Sequence, residues 1–323
     1  MPPDRSAQAT EHRHPRSGRL HELTPTQCVA LLHEADREAV EAVGRIGPAI
    51  ARFVEAILPG FEAGGRLVYI GAGTSGRLGV LDASEAPPTF CVEPGRIVGI
   101  IAGGDAALRR SSEGKEDNPI GAAADLDALH LGPHDAVLGI AAGGTTPYVL
   151  GAIRLARERG AGVTGLLACA EPGTGGGAGE HAERVASWRE ACDHLIVCQT
   201  GPEVLTGSTR LKAGTATKLV LNAISTTLMV RTGRVYENLM VDVRATNDKL
   251  KDRAARIVGM LTGLDRSAAF VLLERAGWAV KPAVVMHRLG VPREEAERRL
   301  AAARGRLGDV LEAKRTTTDD ARG

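Results

Sequence analysis

Short, mostly apolar runs alternate with amphipathic stretches through the middle of the chain. The runs fall at 66–70, 97–101, 136–141, 163–168 and 194–198. Between them, helical spacing of apolar positions predicts helices over 75–84, about 105–113, 119–129 and 147–159. Strands apolar along their whole length have no solvent face. They predict an α/β fold whose parallel sheet is covered by helices on both sides. Upstream, Val29, Leu31, Leu32, Ala35, Val40 and Val43 mark one face of a helix that Thr24 or Thr26 caps and Gly47-Pro48 breaks. A second helix is expected over 49–58, stopped by Pro59-Gly60. Downstream, a long helix over about 210–232 closes the sheet region, and charged helical sequence follows beyond 250.

This pattern divides the chain into an arm at 1–23, helices at 24–60, a sheet domain at 61–235 and a helical region at 236–323. His12 and His14 read as solvated residues of the arm. The glycine-rich stretch 172–179 reads as flexible, Glu180 to Ala191 as a charged helical piece, and the segment after Lys314 as a frayed tail.

Charge narrows the function. With 40 basic and 39 acidic residues and only 3% aromatics, neither a nucleic-acid partner nor a charged membrane surface is expected. No apolar run is long enough to span a bilayer, and Met1-Pro2-Pro3-Asp4-Arg5 lacks an apolar signal core. The expectation is a cytoplasmic protein. Five cysteines without a C-x-x-C predict buried free thiols rather than disulfides or a zinc site, and no metal site is expected.

The candidate chemistry sits where strands end. After the run at 66–70 comes Gly71-Ala72-Gly73-Thr74-Ser75-Gly76. Gly71, Gly73 and Gly76 satisfy G-x-G-x-x-G, the dinucleotide pattern, but the acidic residue that would hold a ribose is offered only late, by Asp105. Thr74 and Ser75 beside the N–H groups of a helix start suit a phosphate monoester instead. A tight structural turn is the third reading. A second turn of the same design, Ala142-Gly143-Gly144-Thr145-Thr146-Pro147, follows the third run. Two hydroxyl-bearing turns at one end of a sheet can converge on one ligand. Glu85 lies at the end of the helix that the first turn opens, and Glu116 in the acidic turn 113–117. If that turn reaches the strand ends, Glu116 faces Glu85, and two carboxylates can divide acid and base roles. Ser208, Arg210 and Lys212 open the long helix. Cations at a helix start oppose the macrodipole, and an anion to hold would explain them.

Gly71 to Gly79, Asp82 to Thr89, Gly207 to Ala216, Asn238 to Val243 and Thr10-Glu11 together resemble the bacterial N-acetylmuramic acid 6-phosphate etherases, a family of the sugar isomerase (SIS) domain group. The resemblance covers nearly the whole chain. It implies a five-stranded parallel sheet, N-terminal helices, a small helical C-terminal region and a homodimer. It also implies cleavage of the D-lactyl ether at C3 of N-acetylmuramic acid 6-phosphate, giving N-acetylglucosamine 6-phosphate and D-lactate, with no metal or organic cofactor. By motif, Glu85 corresponds to the acid that protonates the departing ether oxygen, and Glu116 to the base at C2. That division requires Glu85 to be protonated and Glu116 ionised at neutral pH. Thr74, Ser75, Thr145 and Thr146 would cradle the phosphate, and Gly73, Gly76, Gly143, Gly144 and Ser208 would be substrate-binding beside them. Arg210 and Lys212 are candidates to read the lactyl carboxylate. The chain departs from the family at 142–147, where many members have Ala-Ser-Gly-Arg-Thr-Pro. Two other readings share the domain: a phosphosugar-binding regulator of the glucokinase regulatory protein type, and a phosphosugar isomerase.

Overall fold

The structure, a computed structural model, describes residues 9–110, 112–170, 186–243 and 247–312, with Glu113 described by its backbone. The expectations for 172–179, for the first part of the charged piece at 180–185 and for the tail after Lys314 lie outside the described residues. Two compact units are present. One runs to Glu85 and resumes over Pro94–Ser225; the other takes Ala86–Glu93 and the chain from Thr226 on.

In the first unit, α1 (Pro25–Arg45) starts at a capping box, in which Thr24 and Gln27 each satisfy the other's backbone N–H. Helix α2 covers Gly47–Glu62. It therefore continues through Pro59-Gly60, where a stop was expected. Proline in a last turn removes one hydrogen bond, and the Pro59 carbonyl still accepts from Ala63 N–H at 3.0 Å. Gly60 is there for contact: a Cβ on it would stand 2.6 Å from the His134 carbonyl oxygen.

The sheet has five parallel strands, as expected: β1 (Leu67–Gly71), β2 (Ile97–Ile101), β3 (Ala136–Ile140), β4 (Val163–Ala168) and β5 (His194–Val197), in the order β2-β1-β3-β4-β5. Leu67 is level with Ile97 on one side and Ala136 on the other. Every residue of β1 and β3 is buried, which is why these runs show no alternation. Helices α3 (Gly73–Phe90), α4 (Ala106–Arg109), α5 (Ala123–Leu129) and α6 (Pro147–Glu158) connect the strands, and α7 (Lys212–Arg231) follows β5. Helix α3 outruns its expected end through Pro87 and Pro88. Proline holds φ near the helical value, so the pair removes hydrogen bonds without ending the helix. Helix α4 is shorter than expected, and α5 begins late, because 118–123 is folded into turns (Gly121 N–H to Asn118 carbonyl, 3.1 Å).

The amino ends of the strands are clasped by charge. Arg66 donates from its backbone and guanidinium to buried Asp135, whose carboxylate also accepts from Gly132 N–H at 2.9 Å. The Asp135 carbonyl accepts from Gly162 and Val163, tying β4 to the same point.

His14 is a correction to the expected solvated arm: it is buried, at 4% exposure, whereas His12 is exposed. Burial, and then neighbouring Lys212, hold its imidazole below the ordinary value. The arm docks because it carries partners. The Thr10 carbonyl accepts from Gly207 N–H at 3.0 Å, and Leu20 and Leu23 pack against Leu31, Ala35 and Val204.

In the second unit the end of α7 is followed by a hairpin, β6 (Val235–Tyr236) and β7 (Leu239–Met240). It continues as α8 (Asp248–Thr262), α9 (Arg266–Arg275), α10 (Val280–Leu289) and α11 (Arg293–Ala302). Asn247 and Asp265 cap α8 and α9, accepting from Leu250 and Ala268. Val241, Val258, Leu273, Val284 and Val285 fill its core. Among the described residues no helix is long and apolar enough to cross a membrane.

Candidate active site

Chain connections leave β1 in one direction to β2 and return to its other side at β3. In a parallel sheet that reversal opens a crevice at the carboxyl ends of the two strands. The loops there are the two hydroxyl-bearing turns, 71–76 and 141–147.

The first turn is tight by construction. A Cβ on Gly71 would stand 2.6 Å from Gly76 nitrogen, and one on Gly76 would stand 2.6 Å from Ile101 Cγ1. The outer glycines of the G-x-G-x-x-G pattern are therefore explained by close packing of strand, turn and helix. Gly73 differs. Its φ is +53°, a region L side chains avoid, and its Cβ position lies 3.1 Å from Glu116 Oε1. The Glu116 carboxylate thus stands over the start of α3, beside half-buried Thr74 and Ser75. Asp105 is exposed at the start of α4.

Two further elements meet there. The Glu116 carbonyl accepts from Tyr148 N–H at 3.0 Å, which ties the acidic turn to the first turn of α6. Thr146 is the N-cap of α6 by backbone position, with Pro147 in the first turn, but its hydroxyl does not cap the helix. Gly143, Thr145 and Thr146 are half-buried; Gly144 is buried because Trp188 lies across it, 2.0 Å from where its Cβ would be. From the other side, the Thr74 methyl carbon lies 3.6 Å from the Cβ position of Gly214 in α7. The starts of α3, α6 and α7 therefore meet, with Glu116 against α3 and α6 and α7 packed against Thr74.

The start of α7 is not an open anion site. Glu203, fully buried, accepts from Lys212 N–H at 2.9 Å and Ala213 N–H at 3.0 Å. Burial pushes its carboxyl up, against the pull of those N–H groups and of Lys212. Lys212 Nζ is buried and pairs with Glu38 at 2.7 Å, and also donates to the Pro202 carbonyl. The anion that these residues imply is thus the chain's own. Arg210 is exposed, and Ser208 is half-buried in the turn before α7. Reading along the chain missed Glu203, Glu38 and Trp188. Only Glu203 left a sequence signal, as an acid shortly before a helix start; the other two partners are remote in sequence.

Glu85 is placed elsewhere. It is exposed on α3, twelve residues beyond Gly73, which at 1.5 Å per residue is roughly 18 Å along the helix. Glu116 stands at the start of α3, over Gly73, and Glu85 lies twelve residues along the same helix, so one chain does not bring the two together as expected. Leu81, half exposed, and Ser84 share that outer face. Among the described residues no group of three His, Cys, Asp or Glu side chains is placed to hold a metal. Cys169, Cys192 and Cys198 are buried, their thiols pushed by burial to about 12, 12 and 11; Cys28 and Cys91 are only partly buried.

Residues 49–157 match the glucokinase regulatory protein N-terminal SIS domain. Among solved structures, a phosphoheptose isomerase from Francisella tularensis superimposes with a TM-score of 0.47 at 17% identity, covering 64% of this chain and 100% of that one. Sequence likeness is far stronger. The N-acetylmuramic acid 6-phosphate etherase of Gloeobacter violaceus is 50% identical over 310 residues, 96% of this chain and 97% of the relative. That of Rubrobacter xylanophilus is 50% identical over 302 residues, 93% and 96% of the two chains. Identity of this level over nearly the whole of both chains places the protein in the N-acetylmuramic acid 6-phosphate etherase family.

Proposed function

We propose that this protein is a carbon–oxygen lyase that cleaves the D-lactyl ether of N-acetylmuramic acid 6-phosphate, releasing D-lactate and N-acetylglucosamine 6-phosphate in cell-wall sugar recycling. The observation that supports a catalytic reading is the Glu116 carboxylate, held over Gly73 where three helix starts converge. The phosphate sits at the first turn of α3, with the hydroxyls of Thr74, Ser75, Thr145 and Thr146 around it and the backbone of Gly73, Gly76, Gly143 and Gly144 against it. The open-chain sugar then presents C2 to Glu116. The C1 aldehyde acidifies the C2 proton, Glu116 takes it, and the C3–oxygen bond breaks as the C2–C3 double bond forms. Glu85 gives its proton to the departing lactyl oxygen. Water then adds across the double bond: ionised Glu85 takes a proton from the water as its oxygen bonds to C3, and Glu116 returns its proton to C2. Both carboxyl groups end as they began. No organic cofactor or metal enters these steps.

Glu85 reaches this reaction from a second copy of the chain. Its separation from Glu116 within one chain, and the exposed Leu81, Ser84 and Glu85 on one face of α3, support a homodimer that exchanges this helix face. Arg210 is exposed while Lys212 is committed to Glu38, so Arg210 is the better reader of the lactyl carboxylate, with Ser208 beside it. A cytoplasmic location fits the buried free thiols.

The test is D-lactate release by wild type, Glu85→Ala, Glu116→Ala, and the two variants refolded together. Each variant alone is expected to be nearly inactive. The mixture recovers up to about a quarter of wild-type activity, since half of randomly assorted dimers hold one intact site of two. No recovery with both variants folded and dimeric would place both glutamates in one chain's site. A folded wild type that binds the phosphosugar and releases no lactate would favour the regulator or the isomerase.

A further inference from the structure

The N-terminal arm carries a carboxylate that the reaction above does not use, that of Glu11. The arm is anchored on both sides of it. Thr10, 1% exposed, gives its carbonyl to Gly207 N–H at 3.0 Å. Beyond Glu11, His14 is buried, and Arg16 pairs with Glu34 and Glu38 of α1. Glu11 Oε2 stands 3.1 Å from where a Cβ on Gly207 would be, and Gly207 turns with φ +76°. The left-handed turn and the missing side chain let the backbone just before Ser208 approach the Glu11 carboxylate closely. Glu11 is itself exposed, and among the described residues its carboxylate takes neither a hydrogen bond nor an ion pair.

The turn under Glu11 borders the sheet-end site. The Thr209 carbonyl oxygen lies 3.5 Å from the Cβ position of Gly214, and the Thr74 methyl carbon lies 3.6 Å from the same point. Residues 207–209 and the first turn of α3 therefore flank one residue of α7. Thr209 N–H also donates to the Gly207 carbonyl at 3.1 Å, which ties the glycine under Glu11 to that contact. One short turn, carrying Ser208, separates the Glu11 carboxylate from Thr74.

We propose that Glu11 is a further substrate-binding residue whose carboxylate accepts from the C4 hydroxyl of the sugar, a role that rests on the sugar phosphate proposed above as substrate. A carboxylate repels both anionic ends of that substrate, the phosphate on C6 and the lactyl carboxylate on C3. What it receives is the stretch between them, C4 and C5, whose donors are hydroxyls. The C5 oxygen is consumed when the sugar closes its ring, whereas the C4 hydroxyl is free in ring and open chain alike. A hydrogen bond to an ionised acceptor is stronger than one between neutral groups. The phosphate then fixes one end of the sugar, and Glu11 fixes its middle.

The test is calorimetric binding to the full-length protein, read without turnover, of N-acetylglucosamine 6-phosphate, its 4-deoxy counterpart and inorganic phosphate. Wild type is expected to bind the 4-deoxy compound about tenfold or more weakly, the worth of a hydrogen bond to a charged group. Glu11→Ala is expected to weaken N-acetylglucosamine 6-phosphate by a similar factor and to lose most of the discrimination against the 4-deoxy compound. It is expected to hold inorganic phosphate as wild type does. Its thermal unfolding is expected to be unchanged, because the arm docks through the Thr10 backbone and His14. A merely structural Glu11 would instead weaken all three ligands together and lower Tm. Three outcomes would overturn the proposal: a wild type that binds both sugars equally, which needs no variant; a Glu11→Ala protein that still discriminates between them; or one that loses all three ligands alike. Failure of the lyase reading shows separately, as a wild type that discriminates against the 4-deoxy compound yet releases no D-lactate.

Discussion

Helices α3 and α7 begin alike and end up with opposite uses. Each opens after a glycine-containing turn that carries hydroxyls, and each exposes the N–H groups of a first turn. At α7 the chain supplies its own anion: Glu203 is fully buried and accepts from the first two N–H groups, while Glu38 takes the Lys212 ammonium. At α3 the residues around the start are half-buried hydroxyls and the half-buried Glu116. A helix start becomes a candidate ligand site when the fold leaves its hydroxyls accessible and a reactive group in reach. It becomes a structural joint when a carboxylate from elsewhere is buried against it.

The sharpest way to break this contrast is at Glu116. Glu116→Gln is expected to lower kcat for lactate release by about 10²–10⁴-fold, as for a lost general base, with phosphosugar binding and folding retained. A rise in KM alone would make Glu116 a binding group.

The other end of the same strands offers the next largest effect, on stability rather than rate. Asp135→Asn is expected to cost about 3–5 kcal/mol, because it strands Arg66 beside a buried neutral group. Burial pushes the Asp135 carboxyl up, but the Arg66 guanidinium and the N–H groups of Gly132 and Arg66 more than offset it, so it lies below its ordinary value. A carboxyl depressed by folding contributes stability above its unfolded pKa and loses it as pH falls through the folded one. The gap between wild type and variant in urea unfolding is therefore expected to be full at neutral pH and to narrow on acidification below pH ~4.

Glu203→Ala is expected to destabilise by about 2 kcal/mol, the loss of a buried helix cap, measured by the same unfolding curves. If it instead raised KM without touching stability, the start of α7 would be a ligand site after all. The smallest effect is expected from Thr146→Val. Its hydroxyl does not cap α6, so stability should hold while KM rises by about tenfold, the worth of one hydrogen bond to a charged group. A Tm loss without a KM change would return Thr146 to a structural role.

Much of the sheet could be read along the chain because its strands are short, mostly apolar runs without alternation, as the fully buried central strands β1 and β3 require. Helix ends were harder. Pro59-Gly60 looks like a stop, but the glycine is required by the His134 carbonyl, 74 residues away, and Pro87-Pro88 costs hydrogen bonds without ending α3. His14 looked solvated because its neighbours are polar; its burial depends on the docking of Thr10 and Leu20, which no local pattern announces. The site was legible as turns and glutamates, since glycines and hydroxyls at strand ends carry their own chemistry. Their grouping was not.

By itself the sequence determined the layered α/β architecture, the two hydroxyl-bearing turns and the family, because these are set by local periodicity, by turn chemistry and by motifs contiguous in the chain. Only the tertiary structure decided which glutamate meets which helix start. It brought Glu116 onto Gly73, gave α7 to Glu203, paired Lys212 with Glu38, and kept Glu85 roughly 18 Å along α3 from the turn. It also brought Glu11 of the arm onto Gly207. The reason is the same in each case: an electrostatic partner acts through a few ångströms of space, and the spacing of residues along a chain does not encode those distances.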